Sequence, residues 1–387
     1  MCVIPLELQD HVLDSLRGNR TALIDCALVC RAWRRRARFN LFHTMNIDWD
    51  SRHRTKLLLE ILLETHGLVR ELTLSSAAHL RPEELVGLLE GLENLESLSI
   101  LAHRRGSGLL GLTRFATSHP ALGERLLLAI ARMEQLRAFD FTPRGFLYTE
   151  PEPWAYLYDG PALAVPGLRA LRSLSGNMLP APRMHRLWTA LAAAKAREGA
   201  APLEHLGTAV HSLRLLACLI RDVGSQLRSL HLDLRKMVLV GEDPASGFRT
   251  SGPTLAQCKK LHTLKLYLEA PSARENGNID ACAALFSTAT EDLPLAHIQI
   301  TLYNLSTKFF ALPGIAEAVG ALDENIVALP HLERVDWDLA RCVPDSENYP
   351  DVPFAQLFSQ LAAQTKRIEV NWTSDMEPTN PPQVEDG

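Results

Sequence analysis

Short leucine-rich segments of the form LxxLxL recur along the second half of the chain at a nearly constant interval. The clearest copies begin at Leu227, Leu261, Leu295, Leu332 and, in shortened form, Ile368. Their aligned positions, Leu232, Leu266, Ile300, Trp337 and Val370, follow one another in steps of 34, 34, 37 and 33 residues. A unit of this length accommodates one strand, a loop and one helix. Because such a unit cannot bury its apolar side alone, the pattern predicts an α/β solenoid whose neighbouring repeats share a core.

Earlier copies of the segment are recognisable but less evenly spaced. They lie around residues 72–74, 95–100, 136–141, 168–174 and 203–206. Segments with one apolar stripe lie between the predicted strands and are expected to be helical, at 82–92, 123–133, 185–196, 279–289, 315–329 and 354–363. Strand–helix repeats are therefore predicted over residues 46–374.

Two stretches depart from this rhythm. Residues 143–166 combine five prolines with aromatic residues that include Trp154 and Tyr156. Aromatic side chains on such a segment suit partner binding, but the same loop could fold back and seal the irregular middle repeats. Residues 375–387 are acidic and contain proline, a composition typical of a flexible tail.

The first 45 residues follow a helical pattern instead. A helix is expected to open at Pro5 and to end at Gly18, with one apolar face formed by Leu8, Val12, Leu13 and Leu16. Residues 21–39 repeat apolar side chains at three- and four-residue spacing, which by itself allows one continuous helix. A unit of about 40 residues is too small to hold a stable core without help.

This N-terminal segment resembles the F-box, particularly the version common in mushroom-forming fungi. The resemblance is carried by Ile4-Pro5, Glu7-Leu8, Val12-Leu13, Leu16, Val29-Cys30-Arg31, Trp33 and Leu41-Phe42. It implies three short helices, with a break near Val29-Cys30, over residues 1–45. The repeats that follow resemble, less specifically, the leucine-rich-repeat-like regions common in F-box proteins.

The resemblance further implies that the helices bind the Skp adaptor of a cullin-RING ubiquitin ligase of the SCF type. The residues expected to form this adaptor site or the core beneath it are Pro5, Leu6, Glu7, Leu8, Val12, Leu16, Val29, Cys30 and Trp33. The sequence does not separate the surface residues from the core residues. Cys26 and Cys30, one helical turn apart, are expected to be buried as small apolar side chains.

Alternation along the repeat strands predicts which side chains point away from the core. Among the outward positions, the candidates for partner binding are Asp233, Arg235, Tyr267, Glu269, Tyr303 and Asp338, together with Trp154 and Tyr156 of the loop. Two interpretations stay open. This face either recognises a protein or is simply a polar sheet surface in water.

Composition argues against several other functions. A net charge of -5 and a pI near 6.3 give no general attraction to nucleic acid or acidic membranes, and the arginine-rich run at 31–38 is expected to be a solvated helix face. Seven scattered cysteines without a CxxC pair favour a reducing cytoplasmic or nuclear location. No signal peptide or membrane-spanning segment is predicted. The glycines at 106–111 match GxGxxG but lack its strand–helix context.

No catalytic, cofactor-binding or metal-ligating motif is evident, so no enzymatic activity is expected. The function that fits best is a substrate-recognition subunit of an SCF-type ligase, with the adaptor at the F-box and a protein substrate on the solenoid. The alternative is an interaction scaffold whose F-box is vestigial or acts outside a ligase. An enzyme of unknown type is a more distant third possibility.

Overall fold

The computed structural model describes residues 5–48, 60–75, 87–102, 129–130, 132–143, 167–176, 190–210, 213–234, 250, 252, 254–269, 277–303, 315–340 and 367–373. The chain divides into two compact units, Met1–Pro202 and Leu203–Gly387. No helix in these described ranges is both long enough and apolar enough to cross a membrane.

Three helices open the first unit: α1 (Leu6–Ser15), α2 (Arg20–Val29) and α3 (Arg31–His43). Gly18, with a φ of 105°, makes the turn after α1, and the Asn19 Oδ1 atom caps α2 by accepting from the Ala22 amide at 3.1 Å. Cys30 is extended and separates α2 from α3, since its Sγ accepts from the Trp33 amide at 3.5 Å. The local cap at Cys30 therefore breaks the single helix that periodicity alone allows.

A small core holds these helices together. Leu13 of α1, Leu23 of α2 and Ala37 of α3 are fully buried, and Leu16 and Trp33 are among the side chains packed partly against them. One small side chain from α3 lets the three helices approach closely. Several other apolar residues of the same helices lie at the surface. The helical core is therefore small.

The first unit continues into five strands: β1 (Thr44–Asp48), β2 (Glu71–Ser75), β3 (Ser97–Ala102), β4 (Ala138–Pro143) and β5 (Ser173–Gly176). Each pairs in parallel with the next along the chain. Strand β1 follows α3 directly and was not predicted from the sequence. The predicted end of the helical segment, residue 45, lies inside this strand. The Arg70 amide donates to the His43 carbonyl at 2.9 Å and ties the end of α3 to the residue that precedes β2.

The second unit contains six strands: β6 (His205–Ala209), β7 (Ser229–Asp233), β8 (Thr263–Glu269), β9 (His297–Tyr303), β10 (Arg334–Ala340) and β11 (Arg367–Thr373). They also pair in parallel, in sequence order. The predicted register is confirmed, because the pairs include Leu232 with Leu266, Leu266 with Ile300, and Trp337 with both Ile300 and Val370. Each unit therefore has the α/β, sequentially stacked strand pattern of a repeat protein.

Helices pack beside the strands of the second unit: α4 (Leu213–Val223), α5 (Gly277–Phe286) and α6 (Ile315–Val327). Helices α5 and α6 match predicted segments, whereas α4 was not among them. Cys282 of α5 and the loop residue Cys258 are buried. Burial raises the pKa of the Cys258 thiol to about 12, so this side chain is an unreactive core residue.

Further helical residues lie at 87–90 and 190–195, inside two predicted helices. Several sequence predictions fall outside the described residues: the helix at 354–363, most of the helix at 123–133, the GxGxxG run at 106–111, nearly all of the loop at 143–166 and the tail at 375–387.

Candidate protein-binding surfaces

The apolar stripe of α1 is wider than the surface that α3 covers. Leu13 is buried and Leu16 is half-buried, while Leu6, Leu8 and Val12 are between 51% and 59% exposed. Leu8, Val12 and Leu16 are spaced four residues apart, so they form one continuous row along the helix. This row runs from the helical core out into solvent, and its outer part is available to a partner.

Helix α2 also leaves apolar side chains unburied. Val29 is 64% exposed, Leu28 is 82% exposed, and Ile24 is exposed as well. The sequence analysis named Val29 but missed Ile24 and Leu28. A signal was present, because apolar residues occur on every side of α2, and a helix in a small unit buries only one side.

The structure separates the nine predicted adaptor residues into two groups. Two are half-buried, Leu16 and Trp33. Seven are exposed: Pro5, Leu6, Glu7, Leu8, Val12, Val29 and Cys30. The expectation that Cys30 is a buried apolar side chain is wrong, because its sulfur is used at the surface to cap α3. Cys26 is half-buried and packs against the core.

Trp33 orients α1 against α3. Its ring packs on the helical core, and its Nε1 atom donates to Gln9 Oε1 at 2.6 Å. Substitution of Trp33 would therefore alter the position of α1 as well as any surface that Trp33 shares with a partner.

A polar network fixes the C-terminal end of α1 on α3. Arg36 donates to both carboxylate oxygens of Asp14, at 2.7 and 2.5 Å. The buried Asn40 side chain donates to the Leu13 carbonyl and to Asp14 Oδ1, both at 2.9 Å, and accepts from Arg17 at 3.3 Å. The hydrogen bond from Arg36 lowers the pKa of Asp14 to about 2. The network holds α1 in one orientation and so defines how its exposed row is presented.

A groove of ≈ 530 Å³ runs between α2 and α3. Its apolar lining comes from Ile24, Ala27, Leu28 and Leu41, and its polar lining from Cys30, Arg31, Arg34 and Arg38. The three arginines occur at i, i+3 and i+7, which places them on one side of α3. The predicted solvated arginine face therefore borders an apolar depression.

The outward face of the second unit is less exposed than the alternation predicts. Asp233 is only 2% exposed, and Thr301 and Asp336 are also buried. Asp233 lies in register between Ala209 and Tyr267, on strands that are about 4.8 Å from their neighbours. A short side chain at that spacing is shielded by the adjacent rows, so the expectation that Asp233 is an accessible contact is wrong. Tyr267 and Asp338 are half-buried at outward positions.

For two of the remaining candidates, Glu269 and Tyr303, the structure describes the strand position. Glu269 and Tyr303 pair in register at the ends of β8 and β9. Arg235, Trp154 and Tyr156 lie outside the described residues.

Polar and charged side chains on β9, β10 and β11 form one hydrogen-bonded network. Asp336 accepts from Arg334 at 2.6 Å and lies 2.8 Å from the His297 ring nitrogen, and Arg334 also donates to Glu369 at 2.5 Å. Burial disfavours ionisation of Asp336, but the hydrogen bonds from Arg334 and His297 outweigh it and hold the pKa of this carboxyl below its usual value. The paired charges link neighbouring strands, so this part of the face has a fixed polar pattern.

Lys195 of the first unit is buried and has a structural role. Lys195 Nζ donates to the carbonyls of Arg169 at 3.2 Å, Ala201 at 2.7 Å, and Leu171. Burial, together with the nearby charge of Arg172, lowers the pKa of Lys195 to about 8. The side chain satisfies carbonyl groups that would otherwise lack a donor, and it joins the turn near residue 170 to the segment after residue 195.

No cluster of histidine, cysteine or carboxylate side chains suited to a metal ion occurs among the described residues. No protein-family model matches this chain, and no curated protein matches it. Among solved structures, it is similar to a chain in the crystal structure of the Rad7 and Elc1 complex in yeast, at 14% sequence identity and a TM-score of 0.33. The similarity covers 87% of this chain and 83% of that chain. It is too distant to bear on fold or function.

Proposed function

We propose that this chain is a substrate-recognition subunit of an SCF-type ubiquitin ligase. Helices α1 to α3 act as the F-box and bind a Skp-type adaptor, through which the chain joins a cullin-RING ligase. The outward face of the strand repeats binds a protein substrate.

One observation carries the proposal. Leu6, Leu8, Val12 and Val29, four of the apolar residues that the F-box resemblance assigns to the adaptor site, are each more than half exposed. Full burial of such a side chain is worth about 1.5–3 kcal/mol, so covering the exposed part of all four would contribute several kcal/mol to binding. A small helical unit that leaves this much apolar surface uncovered gains stability when a partner covers it.

The function would depend on proximity and not on chemistry performed by this chain. The outward face of the second unit includes the half-buried side chains of Tyr267 and Asp338. A substrate held there while the helices bind the adaptor has its lysines at a raised effective concentration near the ubiquitin-conjugating enzyme.

Co-purification of the full chain with a fungal Skp adaptor tests the proposal. The informative variant is Leu8→Ala combined with Val12→Ala, because both side chains are exposed and their loss spares the core. We expect adaptor binding to weaken by about 30-fold or more, since two interface anchors are removed. His11→Ala, an exposed polar position on the same helix, is the matched control and should bind like wild type.

Circular dichroism of each variant separates lost binding from lost folding. If wild type does not bind the adaptor, the ligase role fails and the interaction scaffold becomes the better explanation. If the double variant binds as tightly as wild type, α1 is not the adaptor surface.

A further inference from the structure

The groove between α2 and α3 lies on a side of α3 that does not face α1. Trp33, Arg36 and Asn40 of α3 make the hydrogen bonds to α1. Arg31, Arg34 and Arg38 line the groove instead. With successive residues rotated by about 100° along a helix, the two sets point in different directions. The groove is therefore separate from the contact that positions α1.

The groove combines an apolar floor with uncompensated positive charge. Leu28, the most exposed of its apolar residues, is 82% exposed. Arg36 has a carboxylate partner in Asp14, whereas Arg31, Arg34 and Arg38 make no salt bridge within the described ranges. Among the residues that the structure describes, no carboxylate lines the groove. Like charges at three- and four-residue spacing on a helix are unfavourable, so a partner that supplies carboxylates would relieve this repulsion.

We propose that this groove binds an acidic, amphipathic helical segment of a protein partner, at a site distinct from the exposed row of α1. Apolar side chains of the segment at helical spacing would lie against Ile24, Leu28 and Leu41. Its flanking carboxylates would pair with the arginines, whose planar guanidinium groups suit bidentate contacts. Helix-in-groove recognition uses the apolar floor, and the charged margin adds electrostatic complementarity to an acidic helix.

The same features argue against other anionic partners. A nucleic-acid backbone would pair with the arginines but would leave the apolar floor uncovered. An anionic membrane is flat on this scale, whereas Leu28 and Leu41 line a depression between two helices. An acidic amphipathic helix offers apolar and carboxylate groups at the spacing of the groove's own helical lining.

The test uses the full chain and a fluorescent 16-residue peptide with leucines at i, i+3, i+4 and i+7 and glutamates between them. We expect wild type to bind this peptide more tightly than a scrambled peptide of equal composition, and binding to weaken as salt is added. Arg34→Glu combined with Arg38→Glu should weaken binding by about tenfold or more, because attraction becomes repulsion. Leu28→Ser should also weaken it, through the floor.

Arg35→Glu is the matched control, because Arg35 is exposed on α3 but does not line the groove. The proposal is overturned if Arg35→Glu weakens binding as much as the groove variant, if the scrambled peptide binds equally well, or if anionic vesicles bind and the peptide does not. The groove variant should still co-purify with the adaptor, and the Leu8→Ala, Val12→Ala variant should still bind the peptide. Loss of adaptor binding in the groove variant would show one shared interface and refute a separate site.

Discussion

Replacing Leu264 with alanine removes a buried side chain from the middle of β8. Leu264 is 0% exposed and pairs in register with Leu230 on β7 and Ile298 on β9, which are both buried. The neighbouring residue Lys265 points the opposite way and is half-buried. Substitutions at Leu264 and Lys265 therefore test, within a single strand, which face of the sheet points to the core.

The expected decrease in the free energy of unfolding follows from the atoms removed. A leucine-to-alanine change deletes three carbon atoms, worth about 0.8 kcal/mol each in transfer free energy, or about 2.4 kcal/mol in total. Flanking strands that are hydrogen-bonded on both sides of β8 cannot close fully into the space, so a cavity term is added. We expect a loss of about 3–4 kcal/mol, within the usual range of about 2–5 kcal/mol for such changes.

Urea unfolding followed by circular dichroism and by tryptophan fluorescence measures this loss. Trp337 is buried in β10 of the same unit and should report its unfolding. The urea midpoint should fall by about 1.5–2 M with little change in slope, if the slope is about 2 kcal/mol per M. Lys265→Ala should stay within about 0.5 kcal/mol of wild type. An unchanged midpoint for Leu264→Ala, or an equal loss for Lys265→Ala, would refute the register.

Three further predictions concern polar residues of the first unit. Because the pKa of Asp14 is about 2, below its ordinary value of 3.8, its contribution is complete above about pH 4 and disappears as the pH falls through about 2. Urea unfolding at pH 5 and pH 2.5 should show wild type losing about 1 kcal/mol relative to Asp14→Asn; equal losses would contradict the ion pair with Arg36. Asn40→Ala should cost about 1–3 kcal/mol in thermal unfolding, because it removes the donor to Leu13 and Asp14; an unchanged melting temperature would contradict this. Lys195→Met should cost about 2 kcal/mol in urea unfolding through loss of three carbonyl contacts, and a stabilised variant would refute their importance.

The register of the repeats follows from the sequence because two independent periods agree. Alternation along a strand decides which side chains face the core, and the spacing of about 34 residues decides which strands are neighbours. Leu232, Leu266 and Ile300 satisfy both conditions and pair as predicted. In strand β1 the two periods do not agree, so the sequence did not reveal it. Met45 and Ile47 are the only apolar residues of β1, and the strand is defined by its pairing with β2.

The candidate surfaces could be predicted only in part, because exposure is decided by contacts between elements distant in sequence. The resemblance in the first 45 residues named Leu8, Val12 and Val29 among possible contacts, but only the packing of α1 and α2 on α3 decides that they stay exposed. Tertiary structure likewise buries Asp233 between two strands and leaves Leu28 in solvent, although both have ordinary positions in their local patterns. Local periodicity is a property of one segment, whereas burial is the sum of what neighbouring segments cover, and that sum exists only in the folded chain.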